Sequence, residues 1–275
     1  MKRSPVGVIQ GRLLPKYQGR YQCHPVGYWS EEFKIVAELD LDCIQFILNS
    51  DNIDMNPLSS SQGLEKINGL VNSFGVKVSS ICADYFMEKP LHKISGKELL
   101  NAIEVLKKLV KSSKKIGSKS IVLPCLDNSS FSDLNEMKKF QELISDVIPI
   151  AEDLDINLAL ETDLDSATFS TLLEAIDSSN LTVNYDIGNS ASFGHDVKED
   201  FSAYGEKISD VHIKDRPLGK KSIRLGDGDA NFEDFFKLMD NSYYSGPFIM
   251  ETYRDEEGVN IFKQQLSWLR EKGYV

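Results

Sequence analysis

The chain has 275 residues, 41% hydrophobic and 27% charged, which is enough apolar material for a core and excludes a disordered tail. Its 42 acidic against 31 basic side chains give a net charge of −11, which argues against a broad nucleic-acid surface, because neutralising phosphates needs a basic face. No stretch approaches the ~20 apolar residues of a membrane span. The opening Met1-Lys2-Arg3-Ser4-Pro5 leads into too short an apolar run for a signal peptide, so a cytoplasmic protein with no nucleic-acid or membrane partner is expected.

Short β-rich runs alternate with longer amphipathic ones. Val6–Ile9 reads as the first strand. A long loop through Pro25 follows, then a helix opening at Ser30, with Glu31 and Glu32 in the first turn, where negative charge suits the helix dipole. Cys43–Ile47 is the second strand. Ser61–Phe74 carries Leu64, Ile67, Leu70, Val71 and Phe74 at helical spacing and stops at Gly75. Residues 76–83 form the third strand, 97–116 a long amphipathic helix closed by Gly117, and 120–123 the fourth strand. A helix over 133–154 is interrupted at Pro149, which cannot donate to the helical ladder. Strand five (156–160), a helix (168–176), strand six (181–185) and a helix near Asp200 follow. Ile208–Ile213 is strand seven, 232–239 a short helix, Phe248–Met250 strand eight and 259–272 the last helix.

Eight strand–helix units of about 34 residues imply parallel strands joined by crossovers, an α/β chain closing into a single (β/α)8 TIM barrel over residues 1–275. The rival, a doubly wound open sheet, carries a glycine-rich phosphate turn after its first strand. Gln10-Gly11-Arg12-Leu13 lacks that pattern. Cys23, Cys43, Cys82 and Cys125 show no CxxC spacing, and the last three sit in apolar runs as small core residues, which fits a reducing compartment.

In such a barrel, chemistry gathers at the C-terminal ends of the strands. The last four strands run into Glu161, Asp186, His212 and Glu251, spaced 25, 26 and 39 residues apart. One acid at a strand end commonly caps a helix or pairs with a cation. Four successive metal-competent side chains on neighbouring strands are much harder to produce by accident. Three carboxylates and an imidazole suit Mn, Mg, Co or Zn as a divalent metal ion and leave positions open for substrate. Arg12, Lys214, Arg216 and Arg254 follow strands one, seven, seven and eight, where guanidinium forks match phosphate or carboxylate; the competing reading pairs them with Asp215, Asp227 or Asp255. His24, His92 and His195 fall in loops and read as exposed or structural. Tyr17, Tyr21, Tyr28 and Trp29 lie in or beside the first long loop, where they either stack on a ligand or simply pack, and Phe46 and Phe86 could line a pocket.

The segments Ile9-Gln10-Gly11-Arg12-Leu13, Leu158-Ala159-Leu160-Glu161-Thr162, Asn184-Tyr185-Asp186-Ile187-Gly188-Asn189, Val211-His212-Ile213-Lys214-Asp215-Arg216, Leu225-Gly226-Asp227-Gly228-Asp229 and Ile249-Met250-Glu251 span nearly the whole chain. In that order they resemble the xylose-isomerase-like barrel superfamily, in its sugar-phosphate isomerase/epimerase branch. The resemblance implies that Glu161, Asp186, His212 and Glu251 bind the metal. It implies that Glu161 and Glu251 exchange a substrate proton from opposite faces, and that Arg216 contacts a small-molecule sugar or sugar phosphate. A homo-oligomer is also implied. Two positions depart from the pattern: Asn189 stands where ketose 3-epimerases commonly have histidine, and Gln45 where glutamate is frequent. Asn189 either hydrogen-bonds a sugar hydroxyl or serves the turn after Gly188. An inosose dehydratase-like lyase and a non-catalytic sugar-binding barrel are the alternatives. An abasic-site endonuclease would need several more histidines than this chain supplies.

Overall fold

The computed structural model describes residues 4–256 and 258–275; Met1, Lys2 and Arg3 of the opening segment lie outside them. Eight strands, β1 (Val6–Ile9), β2 (Cys43–Ile47), β3 (Lys77–Cys82), β4 (Ser120–Cys125), β5 (Asn157–Thr162), β6 (Leu181–Asp186), β7 (Ile208–Ile213) and β8 (Phe248–Met250), form a closed barrel in chain order. All neighbours are parallel, including the closing β1–β8 pair. The helices are α1 (Glu31–Glu38), α2 (Ser61–Phe74), α3 (Tyr85–Glu88), α4 (Gly96–Ile116), α5 (Leu134–Ser145), α6 (Ile148–Leu154), α7 (Ser166–Glu174), α8 (Ile187–Phe193), α9 (Val197–Tyr204), α10 (Phe232–Asp240) and α11 (Val259–Glu271).

Strand alternation sorts the side chains into two layers. Val6, Val8, Ile44, Phe46, Leu158, Leu160, Val211, Ile213, Phe248 and Met250 belong to the core shared with the helices. Ile9, Cys43, Ile47, Cys82, Val122, Ala159 and Ile249 form a separate apolar cluster that plugs the barrel. All four cysteines are buried and unpaired.

The helix expected over 133–154 divides at Asp146–Val147, ahead of Pro149, which occupies the first turn of α6, where its missing N–H costs nothing. The sequence gives no periodic signal for α3 or α8. Both are short, and α8 starts directly off β6 with the Asp186 carboxylate as its cap.

The long β1–α1 loop is pinned from beneath. The Glu32 carboxylate accepts the backbone N–H groups of Gly11 (2.8 and 3.0 Å) and Leu13 (3.0 Å), so this fully buried acid fastens the loop rather than serving the helix dipole. Trp29 is buried against Phe33, Phe46 and the His24 ring. Phe46 and Phe86 pack in the outer core, so they do not line the mouth as expected. His24 Nδ1 lies 3.1 Å from Gln10 Oε1, which also accepts the Ile47 N–H, so the imidazole proton sits on Nδ1 and is donated to that oxygen. Its Nε2 is buried with no partner among the described residues.

A second proton on His24 would have no acceptor, and burial pushes its pKa down to about 4. The unfolded chain, with a pKa of about 6.5, therefore takes up the proton first. Stability from this site is fully present above pH ~6.5 and is lost as pH falls toward 4. Between pH 7 and pH 5 the loss is about 2 kcal/mol. Denaturant midpoints at those two pH values should show that drop shrinking in His24→Leu; an unchanged pH slope would refute the assignment.

Candidate functional site

Inward alternation carries Glu161 beyond Ala159 on β5 and Asp186 beyond Asn184 on β6. It carries His212 beyond Asp210 on β7, and Glu251 beyond Ile249 just past β8. Asp186 and His212 are register partners, and the Glu251 N–H bonds the Ile213 carbonyl. All four are buried. His212 Nδ1 lies 2.9 Å from Glu251 Oε2, 3.4 Å from Glu161 Oε2 and 3.7 Å from Asp186 Oδ2. Among the described residues, Glu161, Asp186 and His212 each offer a ligand atom within 4.8 Å of the others. Glu251, the fourth residue expected there, falls outside that group and instead sets its Oε2 2.9 Å from the same imidazole nitrogen.

The far side of the imidazole is committed. His212 Nε2 is 2.8 Å from Gln45 Oε1, and Gln45 Nε2 donates to Ser80 Oγ at 2.9 Å. The Gln45 oxygen can only accept, so Nε2 carries a proton and Nδ1 faces the carboxylates, free to present its lone pair when the imidazole is neutral. The carboxylates of Glu161 and Asp186 with the imidazole nitrogen of His212 are a donor set of the kind that holds a divalent cation.

Without a bound ion, the charge is balanced from within. Lys214 Nζ sits 2.8 Å from Asp186 Oδ2 and 2.6 Å from Glu251 Oε1. Burial works against ionised Asp186 and Glu251, but Lys214 and His212 overcome it and hold both carboxyls low. Burial dominates at Glu161 and pushes it up to about 7. Burial opposes a charge on His212, yet the three surrounding carboxylates raise it to about 10.

Asparagines fix the carboxylate orientations. Asn184 Nδ2 donates to Glu161 Oε2 (2.9 Å), and Asn189 Nδ2 donates to Glu161 Oε1 (2.7 Å). Asn189 also gives its N–H to Asp186 Oδ1 (2.7 Å) and accepts from Arg216 Nη1 (2.6 Å). It is therefore a buried hinge of the site, not only a turn residue. A Cβ on Gly188 would come within 2.9 Å of the Lys214 carbonyl, so glycine there lets α8 settle on the end of β7.

Of the expected cations, Lys214 lies inside the acid cluster. Arg12 stands at its edge, 3.7 Å from Glu251 Oε1. Arg254 lies over the Tyr21 ring at 4.2 Å and donates to the Gly11 and Arg12 carbonyls. Asp215 does not hold Arg216; its buried carboxylate accepts the N–H groups of Gly226, Gly228 and Ala230. His92 packs between Phe131 and Phe140, and the His195 ring lies 5.8 Å from that of Phe193, tilted by 47°. Gln45, Asn184 and part-buried Asp84 were not foreseen as site residues. Asp84, bonded to Cys82 Sγ at 3.1 Å, is raised to about 6 by burial. Strand alternation would have located Asn184 and Asp84, two residues from Asp186 and Cys82.

Comparison with known proteins supports the architecture. The chain is 24% identical to L-ribulose-5-phosphate 3-epimerase of Shigella flexneri over 265 residues, covering 92% of this chain and 89% of the relative. The 3-keto-D-glucoside 4-epimerase of E. coli superposes with a TM-score of 0.74 at 14% identity, covering 98% of this chain and all of that one. The IOLI protein with a bound zinc atom gives a TM-score of 0.74 at 15% identity, covering 98% of both chains. Residues 33–272 match the family described as xylose isomerase-like TIM barrel, and the chain belongs to that family.

Proposed function

We propose that the protein is a divalent-metal-dependent sugar or sugar-phosphate isomerase/epimerase that abstracts a proton next to a carbonyl. The observation that carries this is His212 Nδ1, within 3.7 Å of one oxygen from each of three carboxylates while Nε2 is spoken for by Gln45. Glu161, Asp186, His212 and Glu251 would hold the ion. When bound, such an ion would polarise a carbonyl and its neighbouring hydroxyl and favour the enediolate left by removing the proton between them.

The chain's own groups do the proton work in this reading. Glu161 and Glu251 extend from β5 and β8, on either side of His212. One carboxylate takes the proton and the other returns it on the opposite face, which inverts the carbon. Asn184 and Asn189 fix both oxygens of Glu161, so its free lone pairs have a set direction. Arg12, Asn189, Arg216 and Arg254 are assigned to substrate binding, and Lys214 to holding Asp186 and Glu251 ionised and to meeting substrate oxygen. The sugar epimerases among the relatives and the zinc-bound neighbour support this reading.

We also assign the chain a single domain, a cytoplasmic location and homo-oligomeric assembly, with no nucleic-acid or membrane partner. Four free cysteines support a reducing compartment, and no described helix is long and apolar enough to cross a membrane.

Glu161→Gln or Glu251→Gln should each lower turnover by at least about 100-fold while circular dichroism and melting stay near wild type. Near-normal turnover in either variant removes that residue from the chemistry. The reaction itself is read as deuterium entering a ketose carbon from solvent in the presence of Mn²⁺. Loss of a water mass instead would assign a lyase.

Chelation to a verified metal-free state should abolish exchange, and Mn²⁺ or Co²⁺ should restore it. Full activity of the metal-free protein would end the metal assignment.

A further inference from the structure

Beside the acid cluster, Arg12, Arg216, Lys221, Ser222, Tyr253 and Arg254 line a shallow cleft. It brings together four cationic residues, a hydroxyl and a phenol, with no carboxylate on its wall, on a chain whose net charge is −11.

The cleft is built rather than incidental. Arg12 follows a backbone tied down by Glu32 and donates through Nη2 to Gln22 Oε1 at 2.7 Å, while its Nε is buried with no partner among the described residues. Arg216 is braced by the Lys220 carbonyl (2.8 Å) and by Asn189. Lys221 and Ser222 ride on a hairpin closed by the Asp215–Ile223 bridge, with Asp215 gathering three N–H groups behind it. A Cβ on Gly228 would lie 2.1 Å from the Asp215 oxygen, so that arrangement requires glycine. Among the described residues, neither Arg216 nor Lys221 is within ion-pair distance of a carboxylate. Guanidinium forks with unfilled donors suit a tetrahedral dianion, and the cation count exceeds what a single carboxylate needs.

The cleft also shares walls with the acid cluster. Arg12 reaches toward Glu251 Oε1, and Arg216 touches Asn189, which bonds Glu161. An anion held here leaves the rest of a short carbon chain to extend over the carboxylates.

We propose that this cleft binds the phosphate of a phosphorylated ketose, with Lys221 and Ser222 setting the preference for the ester over the free sugar. The proposal rests on the acid cluster being the centre of proton abstraction, but phosphate binding can be read without it. Inorganic phosphate should bind the wild-type protein in a calorimetric titration, and its affinity should fall about 10-fold or more in Lys221→Ala and in Ser222→Ala. The ratio of kcat/KM for L-ribulose 5-phosphate over L-ribulose should fall about 10- to 100-fold in Lys221→Ala, with part of the loss in kcat, because a remote anchor contributes to positioning in the transition state. Lys221→Arg should recover most of that ratio. Phosphate binding that depends on Lys221, without any solvent exchange into the ester, would keep the anion site and overturn the proton-abstraction reading. Exchange that proceeds equally well on the free sugar, or phosphate affinity indifferent to both substitutions, would overturn the cleft.

Discussion

Everything at the mouth of this barrel follows from three buried carboxylates aimed at one imidazole nitrogen. Like charges this close, out of water, repel strongly and each loses hydration. They can be ionised together only around positive charge. The chain supplies some of it as Lys214, 2.6 and 2.8 Å from Glu251 and Asp186, and as the readily protonated His212. A pocket that needs cations to this extent is also one that would receive a divalent ion. In the proposed function His212 would act as a neutral ligand to that ion, and Lys214 would be left to meet substrate oxygen.

The remainder of the barrel keeps that geometry from relaxing. Carboxylates free to rotate would turn away from one another toward solvent. Here Asn184 and Asn189 take one oxygen each of Glu161, the first turn of α8 takes Asp186 Oδ1, and Gln45 with Ser80 fixes the imidazole from below. These supports come from β2, β3, β6 and α8, so the site draws on both halves of the barrel although its acids and imidazole come from one. Buried polar contacts of this kind are stronger than in water because the surroundings are of low dielectric, so each of them resists a carboxylate turning away.

The four clustered residues were legible because two simple regularities coincide: parallel strands deliver their C-terminal ends to one face, and alternation points every second side chain inward. What escaped the sequence was anything that depends on a partner distant along the chain. Gln45 looks like a departure from a family pattern until its oxygen is seen 167 residues away on His212. Glu32 reads as a favourable charge in a first helical turn, yet its task is to hold two amides of the preceding loop. Lys214 reads as one of several mouth cations, and only folding shows it drawn into the acids. Phe46 lies near the end of β2, but its parity on the strand sends it outward into the helix-facing core. Helix α8 is too short for a periodic signal, and its start is set by Asp186, a residue with a second task.

Asn189 is where the charge pattern of the mouth changes sign. Its amide nitrogen serves the acid cluster through Glu161, and its amide oxygen accepts a hydrogen bond from Arg216 of the cationic cleft. Histidine at this position could not repeat that pair of contacts in the same way, because a neutral imidazole has one donor and one acceptor on opposite edges of a rigid ring. An amide offers both at the end of a short stem, so Glu161 of the negative zone and Arg216 of the positive one are bridged through Asn189 rather than paired directly. Asparagine at this position thus ties one acid of the mouth to one of its arginines while leaving the Glu161 carboxylate and the Arg216 guanidinium unpaired with each other.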